Sequence, residues 1–189
     1  MMKEAMKISN MADLKVGMFD LGGGCFSVEA PDRREVRSVV AAILPNEQRA
    51  IGLCPAQKVL PWCYTALGVI TQSMTSGREA SAYIKRVADE KGIKLPALDF
   101  CLNYQGFGVA QGEAFLPTHT ELRQISMGES HIRKSLRLIH ERWVEKTLFS
   151  STVNHEYCVW VQGFGNNYSH NDYQCGAYGV CPAVDIVLA

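Results

Sequence analysis

The chain has 189 residues, with 19 Lys and Arg balanced by 19 Asp and Glu, and it is 47% hydrophobic and 20% charged. That length suits one domain able to bury a substantial core, and the composition excludes the disordered class. The balanced charge excludes a general pull towards nucleic acid or anionic membrane, and no apolar run approaches the roughly 18–20 residues that span a bilayer.

Residues 1–24 carry charges at Lys3, Glu4, Lys7, Asp13 and Lys15 and lack the apolar core of a signal peptide, so synthesis in the cytoplasm is expected. Gly22-Gly23-Gly24 reads as a turn before a short strand at Cys25–Glu29, which Pro31-Asp32 breaks. The β-branched run Val36–Leu44 ends at Pro45-Asn46, and a second strand follows at Arg49–Cys54, predicting a hairpin. Trp62 is read as a core residue. Ser76 with Glu79 fits a capping box and opens a helix over Arg78–Lys91, stopped by Gly92. Pro96–Tyr104 predicts a shorter helix and Gln105–Gly112 a loop. A second capping box, Thr118 with Glu121, starts a helix whose apolar face carries Leu122 and Ile125. The stripe Ile132, Leu136, Ile139 and Trp143 predicts a helix over His131–Val144. Beyond Lys146, Phe149, Tyr157, Val159, Val161 and Val184–Leu188 suggest short strands around a long polar stretch.

The seven cysteines, at positions 25, 54, 63, 101, 158, 175 and 181, are odd in number and include no Cys-x-x-Cys pair, so free thiols are expected. From Thr147 to Ala189 there is neither Lys nor Arg, so this stretch cannot neutralise phosphates and is not a nucleic-acid surface. Between Asn154 and Tyr178, 12 of 25 residues are Asn, Asp, His, Ser or Tyr, and four of the seven tyrosines fall there. Disorder is depleted in aromatics, whereas binding loops are rich in Tyr, Ser, Asn and Gly, because tyrosine gives contact area at low rotamer cost. Asn codons begin with two adenines, and replacing them yields Tyr, His, Asp, Ser and Cys among others, which is the menu found here. The alternative reading is a polar edge loop, since loops favour Asn, Asp, Ser and Gly.

At this point the sequence resembles the variable proteins of diversity-generating retroelements, in the form found among gut Bacteroidales and their phages. The landmarks are Val16-Gly17-Met18-Phe19-Asp20, the run Val39–Arg49 with Ile43-Leu44-Pro45, Leu60-Pro61-Trp62, Phe115-Leu116-Pro117 with Glu121-Leu122, Phe149-Ser150-Ser151-Thr152, Trp160 and Val180–Val184. The chain departs from the family pattern at Leu148-Phe149, at Phe115, and at Cys181, where an arginine is usual. The resemblance implies an α+β, C-type-lectin-like domain: a small twisted antiparallel sheet flanked by helices, with an N-terminal elaboration. Residues 1–70 would form a β-rich supporting segment of the same globule. Residues 71–189 would form the lectin-like domain, with a variable region at about 153–181 rewritten by adenine-directed mutagenesis.

The function expected on this basis is non-catalytic recognition of a variable protein or glycan ligand on a cell surface, with display on a phage virion or bacterial surface. No cofactor, nucleic acid or membrane insertion is implied, and oligomeric state is left open. Tyr157, Tyr168, Tyr173 and Tyr178 are the expected anchors. Asn166, Asn167, Ser169, His170, Asn171 and Asp172 would supply changeable hydrogen bonds, and Asn154, His155, Val159, Gln162, Phe164 and Cys175 complete the candidate contact set. Trp160, Val161 and Val184 are expected to pack inwards. A metal site from His155, Cys158, His170, Asp172 and Cys175 matches no zinc-ligand spacing, and calcium would have only Glu156, Asp172 and some amides. The alternatives are a fixed-specificity adhesin or structural subunit and, on the same fold, a formylglycine-generating enzyme using a cysteine pair such as Cys175 and Cys181.

Overall fold

The β-branched run and its partner do fold back on one another. In the computed structural model, which describes residues 5–143 and 146–189, β4 (Ser38–Leu44) pairs antiparallel with β5 (Arg49–Leu53). Pro45–Glu47 forms a single 3₁₀ turn between them, and Gln48 closes it in the left-handed region at φ 48°. Four further strands complete an antiparallel sheet: β1 (Met6–Lys7), β2 (Phe19–Asp20), β3 (Cys25–Ser27) and β11 (Ala183–Asp185), in the order β1-β3-β2-β4-β5-β11.

A second sheet has the order β6-β10-β7-β8-β9. Its strands are β6 (Lys58–Pro61), β7 (Thr147–His155), β8 (Cys158–Gly163), β9 (Ser169–Tyr173) and β10 (Ala177–Val180). All its pairings are antiparallel except β10 with β7. The protein is thus α+β, with two sheets where the sequence suggested one. β6 and β11 are short strands whose partners lie more than a hundred residues away, and such pairings leave no local signal.

The four helices follow their start signals. α1 (Gly77–Lys91) is capped by Ser76 and ends at Gly92, α2 (Pro96–Leu102) opens on proline, and α3 (His119–Met127) carries the complete Thr118–Glu121 capping box. α4 (Glu129–Leu138) stops earlier than its apolar stripe suggests, because His140 takes φ 60° and turns the chain away. Ile139 and Trp143 still continue the stripe onto the core from irregular backbone; Val144 lies outside the described residues.

Each face of the second sheet has its own core, and the period of two along its strands decides which residue serves which. Phe149, Val153, Val159 and Val161 meet Ile84 and Ala88 of α1, Leu98 of α2 and Leu95 just before it, with Trp62 among them. On the opposite face Leu148 and Phe164 join Leu122, Ile125, Ile132 and Leu136 from α3 and α4, together with Val39 and Ile51 of the first sheet. α3 therefore lies between the two sheets.

Polar ties fix this frame. Glu121, 1% exposed, accepts the backbone N–H of Gly77 at 3.1 Å and of Thr118 at 2.7 Å and pairs with Arg49 at 2.6 Å. The approach at Gly77 leaves no room for a side chain, since a Cβ there would lie 2.5 Å from the Glu121 carboxylate. Arg49 and Arg78 each reach Asp185 at 2.7 Å, so two guanidiniums hold the last strand although position 181 carries cysteine instead of arginine.

Candidate functional site

β9 is an edge strand: β8 pairs with it through five consecutive residues, from Cys158↔Tyr173 to Gln162↔Ser169, and its other side has no neighbouring strand among the described residues. Opposed residues in an antiparallel pair share a face. Ser169, Asn171 and Tyr173 therefore share the α3 face with Gln162, Trp160 and Cys158. His170 and Asp172 share the other face with Val161 and Val159.

On that second face the side chains form a connected row. The Tyr168 ring stacks on His170 at 5.3 Å, His170 Nε2 lies 3.6 Å from Asp172 Oδ2, and the Tyr178 hydroxyl donates to the same carboxylate oxygen. Tyr178 also meets Phe149 edge-on at 5.0 Å, which anchors the row to the core. The hydrogen bond from Tyr178 holds the Asp172 carboxyl below its ordinary range, and the same bond raises the Tyr178 phenol to about 12.

At the other end of β9 a recess of about 100 Å³ is lined by Tyr157, Tyr173 and Cys175 together with Tyr64, Ala66 and Cys63. Its floor is set by Gln174, whose backbone oxygen accepts from Trp62 and Cys63 and whose side chain donates to Glu156 O. The rims are open: Tyr157 is 51% exposed, Tyr173 64% and Tyr64 73%. Tyr64 is absent from the sequence-based set. It lies far from the polar tail in sequence, and a single tyrosine before Thr65 carries no pattern.

The expected contact residues separate into three groups. His155, Tyr157, Tyr168, Asn171, Tyr173 and Cys175 are exposed, and Asn154, Ser169, His170, Asp172 and Tyr178 are partly so. Val159, Gln162 and Phe164 are buried and are withdrawn from the set. Val159 faces α1 and α2, Phe164 packs on Trp143 at 4.7 Å, and Gln162 lies beneath the turn that follows β8.

Asn166 and Asn167 are on the surface, but their side chains build that turn. Asn166 Oδ1 accepts from Tyr168 N at 3.1 Å. Asn167 sits at φ 51°, and its Oδ1 accepts from Ser126 Oγ at 3.0 Å and Gln162 Nε2 at 3.2 Å. Asparagine tolerates the left-handed region better than most residues, which accounts for its place here.

Trp160 corrects a second expectation. It leaves β8 on the side opposite Val161, because neighbours in a strand face opposite ways. It lies half-buried on the α3 face, stacked on His119 at 4.5 Å and 12°. Val161 and Val184 are fully buried.

The cysteine pair considered for catalysis is not brought together. Cys175 lines the tyrosine recess, whereas Cys181 lies buried against Cys54 O. Burial pushes the Cys181 thiol up to about 12, the opposite of what a nucleophile needs. Among the described residues no three His, Cys, Asp or Glu side chains converge as metal ligands, and no helix is long and apolar enough to cross a membrane.

No protein-family model and no curated protein sequence matches the chain. Its fold is similar to the crystal structure of a fimbrial protein from Bacteroides ovatus ATCC 8483, with a TM-score of 0.67 at 13% identity over 90% of this chain. The chain spans about half of that protein, 48% of its length.

Proposed function

We propose that this protein is a non-catalytic recognition domain displayed on a bacterial or phage surface. Its ligand would be a protein or glycan on another cell, met by β9 and the turns at its two ends. We further propose that it is a C-type-lectin-like variable protein whose outward positions are rewritten by adenine-directed mutagenesis. The carrying observation is the sorting of residues within 154–178. Tyr157, Tyr168, Tyr173 and Asn171 face solvent, while Val159, Val161, Gln162, Phe164 and Gln174 hold the sheet. An exposed edge rich in aromatic and amide side chains, on a strand fixed from beneath, is what a changeable binding surface requires.

The test is to sequence the locus in independent isolates. Substitutions should cluster at the outward codons of 154–178, opposite adenines in a near-identical repeat beside a reverse transcriptase gene. Substitutions spread evenly over buried and exposed codons, with no such repeat, would sink the variable-protein reading.

The second reading, a fixed-specificity adhesin or fibre subunit, is favoured by the likeness to a fimbrial protein. It expects residues 154–178 to be invariant among isolates.

A further inference from the structure

Beside the tyrosine rims lies a pair of thiols whose pairing the recognition reading does not require. Cys63 and Cys175 come from distant segments, yet both line the same recess, Cys63 from its buried side and Cys175 from its exposed one. Gln174 O accepts from Trp62 N at 3.0 Å and from Cys63 N at 3.1 Å, which holds the backbone at 62–63 against residue 174. One hydrogen bond and one peptide unit thus separate the two cysteines, a separation compatible with the roughly 4–7 Å between Cα atoms that a disulfide spans. Cys63 Sγ lies 2.9 Å from Thr65 O and 3.0 Å from Gln174 Oε1, the side chain of the residue that precedes Cys175. Burial pushes the Cys63 thiol up to about 11, and the neighbouring Cys175 sulfur adds to that push. Cys175 is exposed, whereas Cys54, Cys101 and Cys181 are closed off in the core.

We propose that Cys63 and Cys175 form a reversible disulfide that staples the segment after β6 to the turn between β9 and β10. The oxidant would be a low-molecular-weight disulfide. The Cys175 thiolate attacks one of its sulfurs, forms a mixed disulfide and expels one small thiolate, which is protonated by solvent. Cys63 then gives its proton to solvent, attacks Cys175 Sγ and expels the second thiolate. Two protein thiols lose two electrons, and one small disulfide becomes two thiols. Because little of Cys63 is thiolate at neutral pH, the second step speeds up with rising pH. Closure fixes Tyr64 relative to Tyr173, so one rim of the recess becomes covalently tied to the other.

The experiment incubates the full chain with glutathione disulfide, alkylates it and maps the peptides by mass spectrometry. The expected result is a linked Cys63–Cys175 peptide, preceded by a glutathione adduct on Cys175 and reversed by dithiothreitol. C63S should stop at the adduct, and C175S should leave Cys63 unlinked. The proposal is overturned if the wild-type chain retains the Cys175 adduct or a free Cys175 thiol at equilibrium in excess oxidant. Linkage of either cysteine to a different partner would overturn it equally. The readout is the state of the thiols and not ligand binding, so it stands or falls separately from the recognition surface.

Discussion

Two edge strands lie close in sequence, each paired by its backbone to one neighbouring strand, and their side chains are secured by different means. β11 closes the first sheet and is clamped through Asp185 by Arg49 and Arg78, with Arg49 also reaching the buried Glu121. β9 closes the second sheet and is held by backbone pairing to β8 and by the row from Tyr168 to Tyr178. The chain after Thr147 contains no Lys or Arg, so the cations that secure β11 all come from earlier elements. A charged clamp that runs through Arg49 to a buried carboxylate tolerates little change at that buried end, because removing one partner costs the other its pairing. A strand held by its backbone leaves its outward side chains free to vary. Constraint and latitude are thus separated along a tail of little more than forty residues.

The sharpest way to break this contrast is Glu121→Ala. It leaves two backbone N–H groups without their acceptor and takes from Arg49 one of its carboxylate partners, and the expected loss is about 3–5 kcal/mol in urea denaturation. A loss below about 1 kcal/mol would mean that the clamp does not hold the frame. Phe164→Ala should cost about 3 kcal/mol, since its ring is buried against Trp143, although it lies within the polar tail. Asn167→Val should cost about 1–2 kcal/mol, combining a β-branched residue at positive φ with the loss of two accepted hydrogen bonds.

A smaller effect attaches to pH. The folded Asp172 carboxyl lies below its unfolded value of 3.8, so its contribution is present above that value and disappears as pH falls through the folded one. The group is partly exposed, so the contribution amounts to a few tenths of a kcal/mol, and Asp172→Asn should flatten that part of the acid limb. Comparably small, Tyr168→Ala or Tyr173→Ala should alter stability by no more than about 0.5 kcal/mol. Under the recognition reading the two together abolish ligand binding, which separates latitude in folding from importance in function.

Much of the frame could be read from local chemistry. The Ser76 and Thr118 caps announced α1 and α3, Gly92 marked an end, and a β-branched run broken by Pro45 announced the first hairpin. What could not be read depended on phase or distance. Composition marked 154–178 as unusual but did not say which strand forms the edge, so Val159, Gln162 and Phe164 of the covered β8 strand and its turn are grouped by composition with the open residues of β9. Tyr64 joins the recess only because β6 pairs with β10. α4 ended early through a single positive φ at His140, which its apolar spacing could not reveal.

The unbroken five-residue register between β8 and β9 sets a rule of length. Each letter of β9 can be exchanged while its neighbours keep their places. One residue inserted within that strand would send every later side chain to the opposite face, placing the Asp172 carboxylate towards α3 and Tyr173 towards the valines. The turn before it is no more forgiving, because a Cβ at Gly163 would collide with Asn166 Oδ1 at 2.6 Å and Tyr168 O at 2.8 Å. Evolution of this edge therefore has a vocabulary but no freedom of spelling length: it proceeds by exchange, and a frame-preserving insertion or deletion is as damaging as the loss of a core residue.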